Sequence, residues 1–374
     1  MGFLDTKGEE HIVPTLQKRM KSLDRSLAQR KTAPTQVSRK ALESTRFSEW
    51  KKRVGNRTLV IYDKSLGDWS AFVVRPQGPV EHVWLQGARE ALRGTWWGLR
   101  LIFEQAASLD KDRREDFLEQ TQTEALTALE SLRDELLQPL KLDTSESVVF
   151  VPDGELHEVP LEALALISEG SSSGLVASRW PHPAVMKAKK VSTSPAAILL
   201  HNGSPGTRRE ARDIGSLLRR RGFKTRVSSR IEAFDKSETR YGVVHAASHG
   251  NYHRDRWLLN GIQLAIGWLG FEHLRPANLK GALMYFGSCE SGLQNEASGL
   301  SLNGWLSAGL GAGAAELMLA LWKIDDQSAS AYAKSFYPSW CEGSGSAQAA
   351  KTAREHVRAL HPHPFSWAPF LVVA

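Results

Sequence analysis

Cysteine is scarce in this sequence, since the 374 residues contain only Cys289 and Cys341. Neither belongs to a CxxC pair, which argues against a disulfide framework and against a structural zinc site. His356, His361 and His363 lack a third metal ligand at a regular spacing, so we predict neither a metal nor any other cofactor. Free thiols fit a reducing compartment, and the expected location is the cytoplasm.

The sequence also lacks the apolar segments that export or membrane insertion would need. Its first twenty residues contain no hydrophobic core of a secretory signal. The longest apolar run, from Trp305 to Trp322, is interrupted by Glu316 and several glycines. We interpret it as a helix end, a Gly-rich turn and a buried strand, and we predict no membrane span.

An excess of positive charge is present, but it is concentrated at one end. Residues 1–53 contain 13 Lys+Arg and 6 Asp+Glu, which leaves 35 of each in the remaining chain. Such an arm could bind nucleic acid or an acidic protein surface, whereas a solvated helical face is the simpler interpretation. Aromatic residues are not interleaved with the basic residues as in a base-stacking platform, so direct nucleic-acid binding is not expected. If it occurs, we expect it only through this arm.

Hydrophobic periodicity predicts the elements of the rest of the chain. Residues 58–85 read as three strands separated by turns, and a long helix follows with apolar positions from Leu118 to Leu140. A polar segment rich in Ser, Gly and Pro, from Ser168 to Pro195, is predicted to be flexible. After residue 196, wholly apolar strands alternate with helices, which is typical of a parallel sheet covered on both faces.

Two strands of this second part end in residues with catalytic potential. His249 ends the strand in YGVVHAASHG, and Cys289 ends the strand in GALMYFGSCESG. If the strands are neighbours, both side chains reach the carboxyl edge of the sheet, where ligands bind in open α/β folds. An imidazole at hydrogen-bonding distance would favour the thiolate, and the N–H groups of Gly250 and Cys289 could both face a developing oxyanion.

The same residues have other interpretations. A single cysteine at the end of an apolar strand is often a small buried side chain, and His245 is better explained as a core or supporting histidine. A phosphatase-type loop would need arginine where Asn295 stands, and a nucleophile elbow would need glycine where Ser291 stands. The matched placement of His249 and Cys289 favours a catalytic pair.

Several separately placed motifs resemble those of the CHAT peptidases, a branch of the caspase-like cysteine proteases that includes separases. The motifs are VVHAASHG, GALMYFGSCESG, AGAAELMLALWKIDD, SVVFVPDGELHEVPLEAL, SPGTRREARDIGSLLRRRGF, KSFY and the closing WAPFLVV. They occur in order over roughly residues 58–374. The resemblance implies a caspase-like parallel-sheet α/β sandwich (191–374), preceded by a degenerate caspase-like half (58–190) and a short basic helical arm (1–57).

The resemblance also implies roles for individual residues. His249 would be the general base and Cys289 the nucleophile, with an oxyanion hole formed by the N–H groups of Gly250 and Cys289. Trp322 would form the wall of a hydrophobic subsite. Asp325 either contacts substrate or caps the helix that follows, and the cap is the simpler interpretation. Glu290 and Glu316 could each meet a basic substrate residue.

The function implied is that of a cytoplasmic cysteine endopeptidase acting on a protein substrate, in a setting of bacterial defence or regulated cell death. Many CHAT peptidases have a long sensing region ahead of the protease, and only about 57 residues precede it here. The sensor would then be a separate protein, or the chain a shortened form, or the basic arm the docking element. The alternative function is a catalytically silent interaction module that recruits a partner through the arm.

Overall fold

Two β-sheets, each packed against helices, form the framework of the protein in a computed structural model. The structure describes residues 54–64, 69–167, 174–181, 191–235, 238–248, 250–251, 260–287, 291–292, 295–297 and 301–374. The predicted helices of the basic arm lie outside these residues.

The first half begins with the three predicted strands and continues into helices. Its elements are β1 (Thr58–Asp63), β2 (Ser70–Val74), β3 (Val80–Trp84), α1 (Ala88–Glu90), a π-helical segment (Ala91–Trp96), α2 (Trp97–Ser108), α3 (Lys111–Leu136), β4 (Ser147–Val151), α4 (Leu161–Leu166) and β5 (Val176–Arg179). The strand order is β3-β2-β1-β4-β5, antiparallel from β3 to β1 and parallel from β1 to β5. The predicted stripe of α3 is confirmed, since Ala125, Leu129 and Leu132 are fully buried.

The second half carries the larger sheet. Its elements are β6 (Ala196–His201), α5 (Pro205–Arg220), β7 (Lys224–Ser228), α6 (Glu232–Asp235), β8 (Val243–Ala247), β9 (Gly250–Asn251), β10 (Gly261–Gln263), β11 (Trp268–Leu269), α7 (Pro276–Leu279), β12 (Leu283–Phe286), β13 (Asn295–Ala297), β14 (Ser301–Asn303), α8 (Trp305–Gly311), β15 (Glu316–Ala320), α9 (Asp326–Cys341), α10 (Ser346–Leu360), α11 (Pro364–Trp367) and β16 (Phe370–Val373). Six strands pair in the order β16-β15-β12-β8-β6-β7. All neighbours are parallel except β16, which runs antiparallel to β15.

The inner parallel strands of this sheet are buried on both faces, as their apolar sequences predict. Every residue of β8, β12 and β15 is buried, including the polar His245 and Glu316. A parallel sheet flanked by helices on both sides needs such strands, because neither face meets water.

The two sheets meet where β5 of the first half approaches β16 of the second. The terminal carbonyl of Ala374 accepts hydrogen bonds from the Trp180 indole, at 2.8 Å, and from the Arg57 guanidinium, at 3.1 Å. One apolar core contains residues of both halves, for example Phe150 and Phe370. The C-terminal strand thus fixes the first half against the second.

A strand lies within the segment that the sequence predicts to be flexible. β5 occupies residues 176–179 of the Ser168–Pro195 segment, so the prediction is wrong for these residues. The reason is Arg179, whose charge makes the segment read as polar in the sequence although the residue is only 1% exposed in the structure. Its guanidinium pairs with the equally buried Glu162 and donates to the carbonyls of His157 and Val159, both at 3.0 Å. Burial and the nearby Arg179 charge lower the pKa of His157 to about 3.

The longest apolar run folds as predicted. It forms α8, a turn with Gly313 at φ +98°, and the buried strand β15. Among the helices of the described ranges, none combines the length and hydrophobicity required to cross a bilayer.

Candidate active site at the carboxyl edge of the larger sheet

The strands β8 and β12 are parallel neighbours, as the catalytic interpretation requires. Their register pairs His245 with Tyr285 and Ala246 with Phe286. In the sequence, His249 is the third residue after Ala246, and Cys289 is the third residue after Phe286. His249 and Cys289 themselves lie outside the described residues, as does Glu290. The described strands therefore bring the chain to matching positions, about 4.8 Å apart, just before both residues.

The described residues on either side of His249 are fixed to a small three-stranded sheet with the order β11-β10-β9. The hydroxyl of Ser248 donates to the carbonyl of Gln263, and Gly250 pairs with Ile262 as β9 runs antiparallel to β10. These contacts set the direction in which the chain leaves β8. Gly250, predicted to contribute an N–H to the oxyanion hole, begins this small sheet directly after His249.

Ser291 connects the segment that follows β12 to two strand ends. Its hydroxyl donates to the carbonyl of Phe286 at 2.8 Å and accepts from the N–H of Ala320 at 3.0 Å. The next N–H, of Gly292, donates to the carbonyl of Ala320 at 2.7 Å. A Cβ on Gly292 would lie 2.6 Å from the Leu371 side chain and 3.1 Å from the Ala320 carbonyl oxygen, so a larger residue would force its neighbours to shift. This anchor has no sequence signal beyond the Ser-Gly pair, and it fixes the chain two residues after Cys289.

Trp322, the predicted wall of a hydrophobic subsite, lines a cavity of about 270 Å³ beside the end of β15. Its ring stacks on Phe103 of α2 with centroids 4.5 Å apart, and Trp96 lies at 6.4 Å. The indole N–H donates to the carbonyl of Phe365 at 3.0 Å, which fixes the ring. Helix α2 and the π-helical segment before it belong to the first half, so both halves of the protein form this cavity.

Charged side chains surround the cavity and are mostly paired with one another. Arg100 bonds Glu104 at 3.1 Å and also pairs with Glu158. Lys323 lines the same cavity and is exposed. The result is an aromatic recess with charges at its rim, which suits a side chain with a large apolar body.

Asp325 and Glu316 occupy different places relative to the carboxyl edge. Asp325 is the N-cap of α9, as the simpler interpretation predicts, since its carboxylate accepts from the Ser328 N–H at 2.8 Å and from the Ser328 hydroxyl at 2.7 Å. A contact between Asp325 and substrate stays a prediction. Glu316 begins β15, at the opposite end of the strand from Ala320, and accepts from the Trp340 indole at 2.8 Å.

His245 is a core histidine, as predicted. Its side chain is fully buried, with Nδ1 3.1 Å from the Tyr337 hydroxyl and Nε2 3.1 Å from the Glu210 carboxylate. The ring stacks on Tyr285 at 4.8 Å. Both ring nitrogens therefore have protein partners, so His245 is held within the core.

The second cysteine has the properties of an unreactive thiol. Cys341 is the last residue of α9 and is partly buried, and this burial raises the pKa of its thiol. A thiol with a raised pKa supplies little thiolate near neutral pH. In the portion of the chain that the structure describes, no three His, Cys, Asp or Glu side chains are grouped as metal ligands.

Comparisons with known proteins agree with this architecture. The family model described as "CHAT domain" matches residues 126–374. Among solved structures, separase from Saccharomyces cerevisiae in complex with securin is similar, with a TM-score of 0.58 and 11% sequence identity over 89% of this chain and 31% of that chain. Gingipain R (RgpB), an Arg-specific cysteine proteinase, gives a TM-score of 0.45 and 10% identity over 66% of each chain.

The predicted fold class is confirmed by the separase likeness, so the fold is a caspase-like α/β fold. This chain spans about a third of the length of the separase chain that it matches. Among curated proteins, none matches the sequence significantly.

Proposed function

The chain belongs to the CHAT domain family, and on that premise we propose that it is a cysteine endopeptidase in which Cys289 is the nucleophile and His249 the general base. The single observation that carries this proposal is the register of β8 and β12. It brings two neighbouring parallel strands to matching positions before His249 and Cys289. Both residues follow the carboxyl edge of the sheet, where α/β folds bind their ligands.

The proposed reaction proceeds through an acyl-enzyme. The Cys289 thiolate attacks the scissile carbonyl carbon, and the N–H groups of Gly250 and Cys289 stabilise the oxyanion that forms. His249, protonated by the thiol, gives its proton to the leaving amine as the C–N bond breaks. It then removes a proton from water, whose oxygen attacks the thioester and releases the second product together with the Cys289 thiol.

The anchor at Ser291 and Gly292 supports this assignment because a nucleophile must be held within a narrow geometry. Two hydrogen bonds tie the chain after Cys289 to Ala320, the last residue of the neighbouring strand β15. Two residues beyond Ala320 lies Trp322, at the wall of the aromatic cavity. The hydrogen bonds to Ala320 therefore connect the chain after the proposed nucleophile to the segment that forms this cavity.

We propose further that the cavity receives a large apolar side chain of the protein substrate next to the cut bond. Trp96, Phe103 and Trp322 supply aromatic walls, and the volume is close to the lower limit of roughly 300 Å³ for small-ligand pockets. Glu290 is retained as a candidate contact for a basic substrate residue. A cytoplasmic setting in bacterial defence or regulated cell death, with a separate sensor protein, remains part of the proposal and follows from the family alone.

The proposal is tested by digesting a peptide library and comparing wild type with Trp322→Phe and Trp322→Ala. We expect wild type to cleave beside large apolar residues. We expect Trp322→Ala to reduce the preference for large over small apolar residues by about tenfold or more, because each substrate methylene bound in a hydrophobic pocket is worth about 1–3 kcal/mol. The preference of Trp322→Phe should be intermediate.

The ratio between two peptides is the appropriate measurement because it is insensitive to the amount of folded enzyme. Trp322 packs on Phe103, so thermal unfolding of each variant is recorded as a control for lost packing. An unchanged ratio in Trp322→Ala would show that the cavity does not bind the substrate. Absence of any cleavage by wild type would instead favour the interaction module.

A further inference from the structure

The surface formed by α5 and the edge strand β7 is strongly positive. Residues 205–230 contain nine Lys+Arg and two Asp+Glu. The rest of residues 54–374 contains 26 Lys+Arg and 33 Asp+Glu. Positive charge is therefore concentrated here as well as in the N-terminal arm. We call this surface the arginine edge. Arg221 and Arg230 are exposed but pair with Glu342 and Glu232, and the other exposed members are Arg208, Arg209, Arg212, Arg219 and Arg220 of α5, with Lys224 and Arg226 on the face of β7 that points away from α5.

The folding of α5 explains why these cations stand together. Ala211, Ile214 and Leu218 are fully buried and hold one face of the helix against the sheet. Gly215 lies directly against Val227 of β7. Arg208, Arg212 and Arg219 are four and seven residues apart, so they form a row along the exposed flank on the same side as β7. Arg208 and Arg219 are 11 residues apart in this 16-residue helix, so the row extends over about 17 Å.

The acidic residues of the same segment do not neutralise the row. Glu210 is buried against His245, and Asp213 pairs with Lys334 at 2.8 Å. None of the seven cations forms an ion pair with a carboxylate among the residues that the structure describes. Arg208 donates one hydrogen bond to the carbonyl of Gly203 at 3.1 Å, and a guanidinium has four further N–H donors.

The chemistry of the surface distinguishes among polyanionic partners. Neither α5 nor β7 contributes to the exposed large apolar residues of the described chain. A protein interface typically has an apolar centre, which this surface lacks. An anionic membrane attracts Lys and Arg without insertion, so anionic vesicles are included in the test. The phosphate backbone of a nucleic acid needs no apolar centre, and arginines bind phosphate through two parallel hydrogen bonds.

We propose that the arginine edge binds the phosphate backbone of a nucleic acid without reading its base sequence. DNA and RNA share a regular row of phosphodiesters, and a row of arginines about 17 Å long can contact several of them. Helix α5 begins next to the end of β6, and β6 pairs with β8, the strand that precedes His249. A bound nucleic acid would therefore lie beside the proposed cleft, although binding does not depend on the proposed peptidase activity.

The test uses fluorescence anisotropy with labelled duplex DNA, single-stranded DNA and RNA of about 30 nucleotides, each titrated with the full chain at several salt concentrations. The variant Arg212→Gln, Arg219→Gln, Arg220→Gln is compared with a control of equal charge, Arg93→Gln, Lys141→Gln, Lys280→Gln, whose residues are exposed elsewhere. Because the basic arm is present in all three proteins, its contribution cancels. Thermal unfolding midpoints verify that both variants fold.

We expect wild type and the control to bind at least one of the nucleic acids, with affinity that falls as salt rises. The arginine-edge variant should bind about tenfold or more weakly at 0.1 M salt, with a salt slope smaller by about one for each phosphate contact removed. Equal affinity of the two variants would overturn the proposal, as would absence of binding by wild type. Equally tight, arginine-dependent binding of polyglutamate or of anionic lipid vesicles would also overturn it.

Discussion

Cys289→Ala is expected to lower kcat/KM for peptide cleavage by about four orders of magnitude or more, because removal of a covalent nucleophile leaves only binding and oxyanion stabilisation. His249→Ala should have a similar effect, since the thiol then has no base to accept its proton. The measurement is the rate of hydrolysis of a peptide identified with the wild-type enzyme.

The double variant distinguishes a catalytic pair from two separate structural effects. If Cys289 and His249 act as a unit, the double variant should be about as inactive as either single variant. Cys341→Ala serves as the matched control and should retain wild-type activity, because that thiol is at the end of α9, away from the carboxyl edge. Cleavage by Cys289→Ala at a wild-type rate would exclude the proposed nucleophile.

Arg179→Met is expected to destabilise the protein by about 3–5 kcal/mol, because it leaves the Glu162 carboxylate buried without its partner. Both side chains are 1% exposed, so water cannot replace the lost contact. The variant also leaves the carbonyls of His157 and Val159 without their side-chain donor. The measurement is the free energy of unfolding from urea denaturation. The dependence of that free energy on urea concentration is compared between variants, because only variants with equal slopes can be compared directly.

Two further variants identify the cause of the loss. The double variant Arg179→Met with Glu162→Leu should recover part of the stability, because no unpaired charge remains. It should still be less stable than wild type by about 1–3 kcal/mol, because the carbonyls of His157 and Val159 have lost the Arg179 donor. Arg221→Met is the matched control, since its pair with Glu342 is exposed and should contribute about 1 kcal/mol or less. A loss no larger in Arg179→Met than in Arg221→Met would contradict this account.

The larger sheet was predictable from sequence because its strands are apolar throughout and end in chemically distinct residues. Their continuous apolar runs identified β8, β12 and β15, and the residues that follow β8 and β12 in the sequence led to the prediction of a site at the carboxyl edge. Asp325 was equally accessible to sequence reasoning, since an acidic residue before a helix is a common cap. These features depend on local chemistry, which the sequence displays directly.

Other features depend on contacts between distant residues, and the sequence hides them. β5 contains a buried arginine whose partner, Glu162, is 17 residues away, so the segment resembled a polar loop. The anchoring role of Ser291 requires the end of β15, 29 residues later. The net charge of residues 54–374 gave no indication of the arginine edge, because acidic residues elsewhere balance its positive charge in that count.

The most direct test of the proposed active site is the relative rate at which a limiting amount of iodoacetamide alkylates Cys289 and Cys341 at about pH 6, measured by peptide mass spectrometry. A histidine-paired thiol should remain largely ionised there, whereas burial raises the pKa of Cys341. We predict that Cys289 reacts about tenfold or more faster than Cys341, and that His249→Ala abolishes this preference. Equal rates for the two cysteines in the wild-type protein would contradict the account.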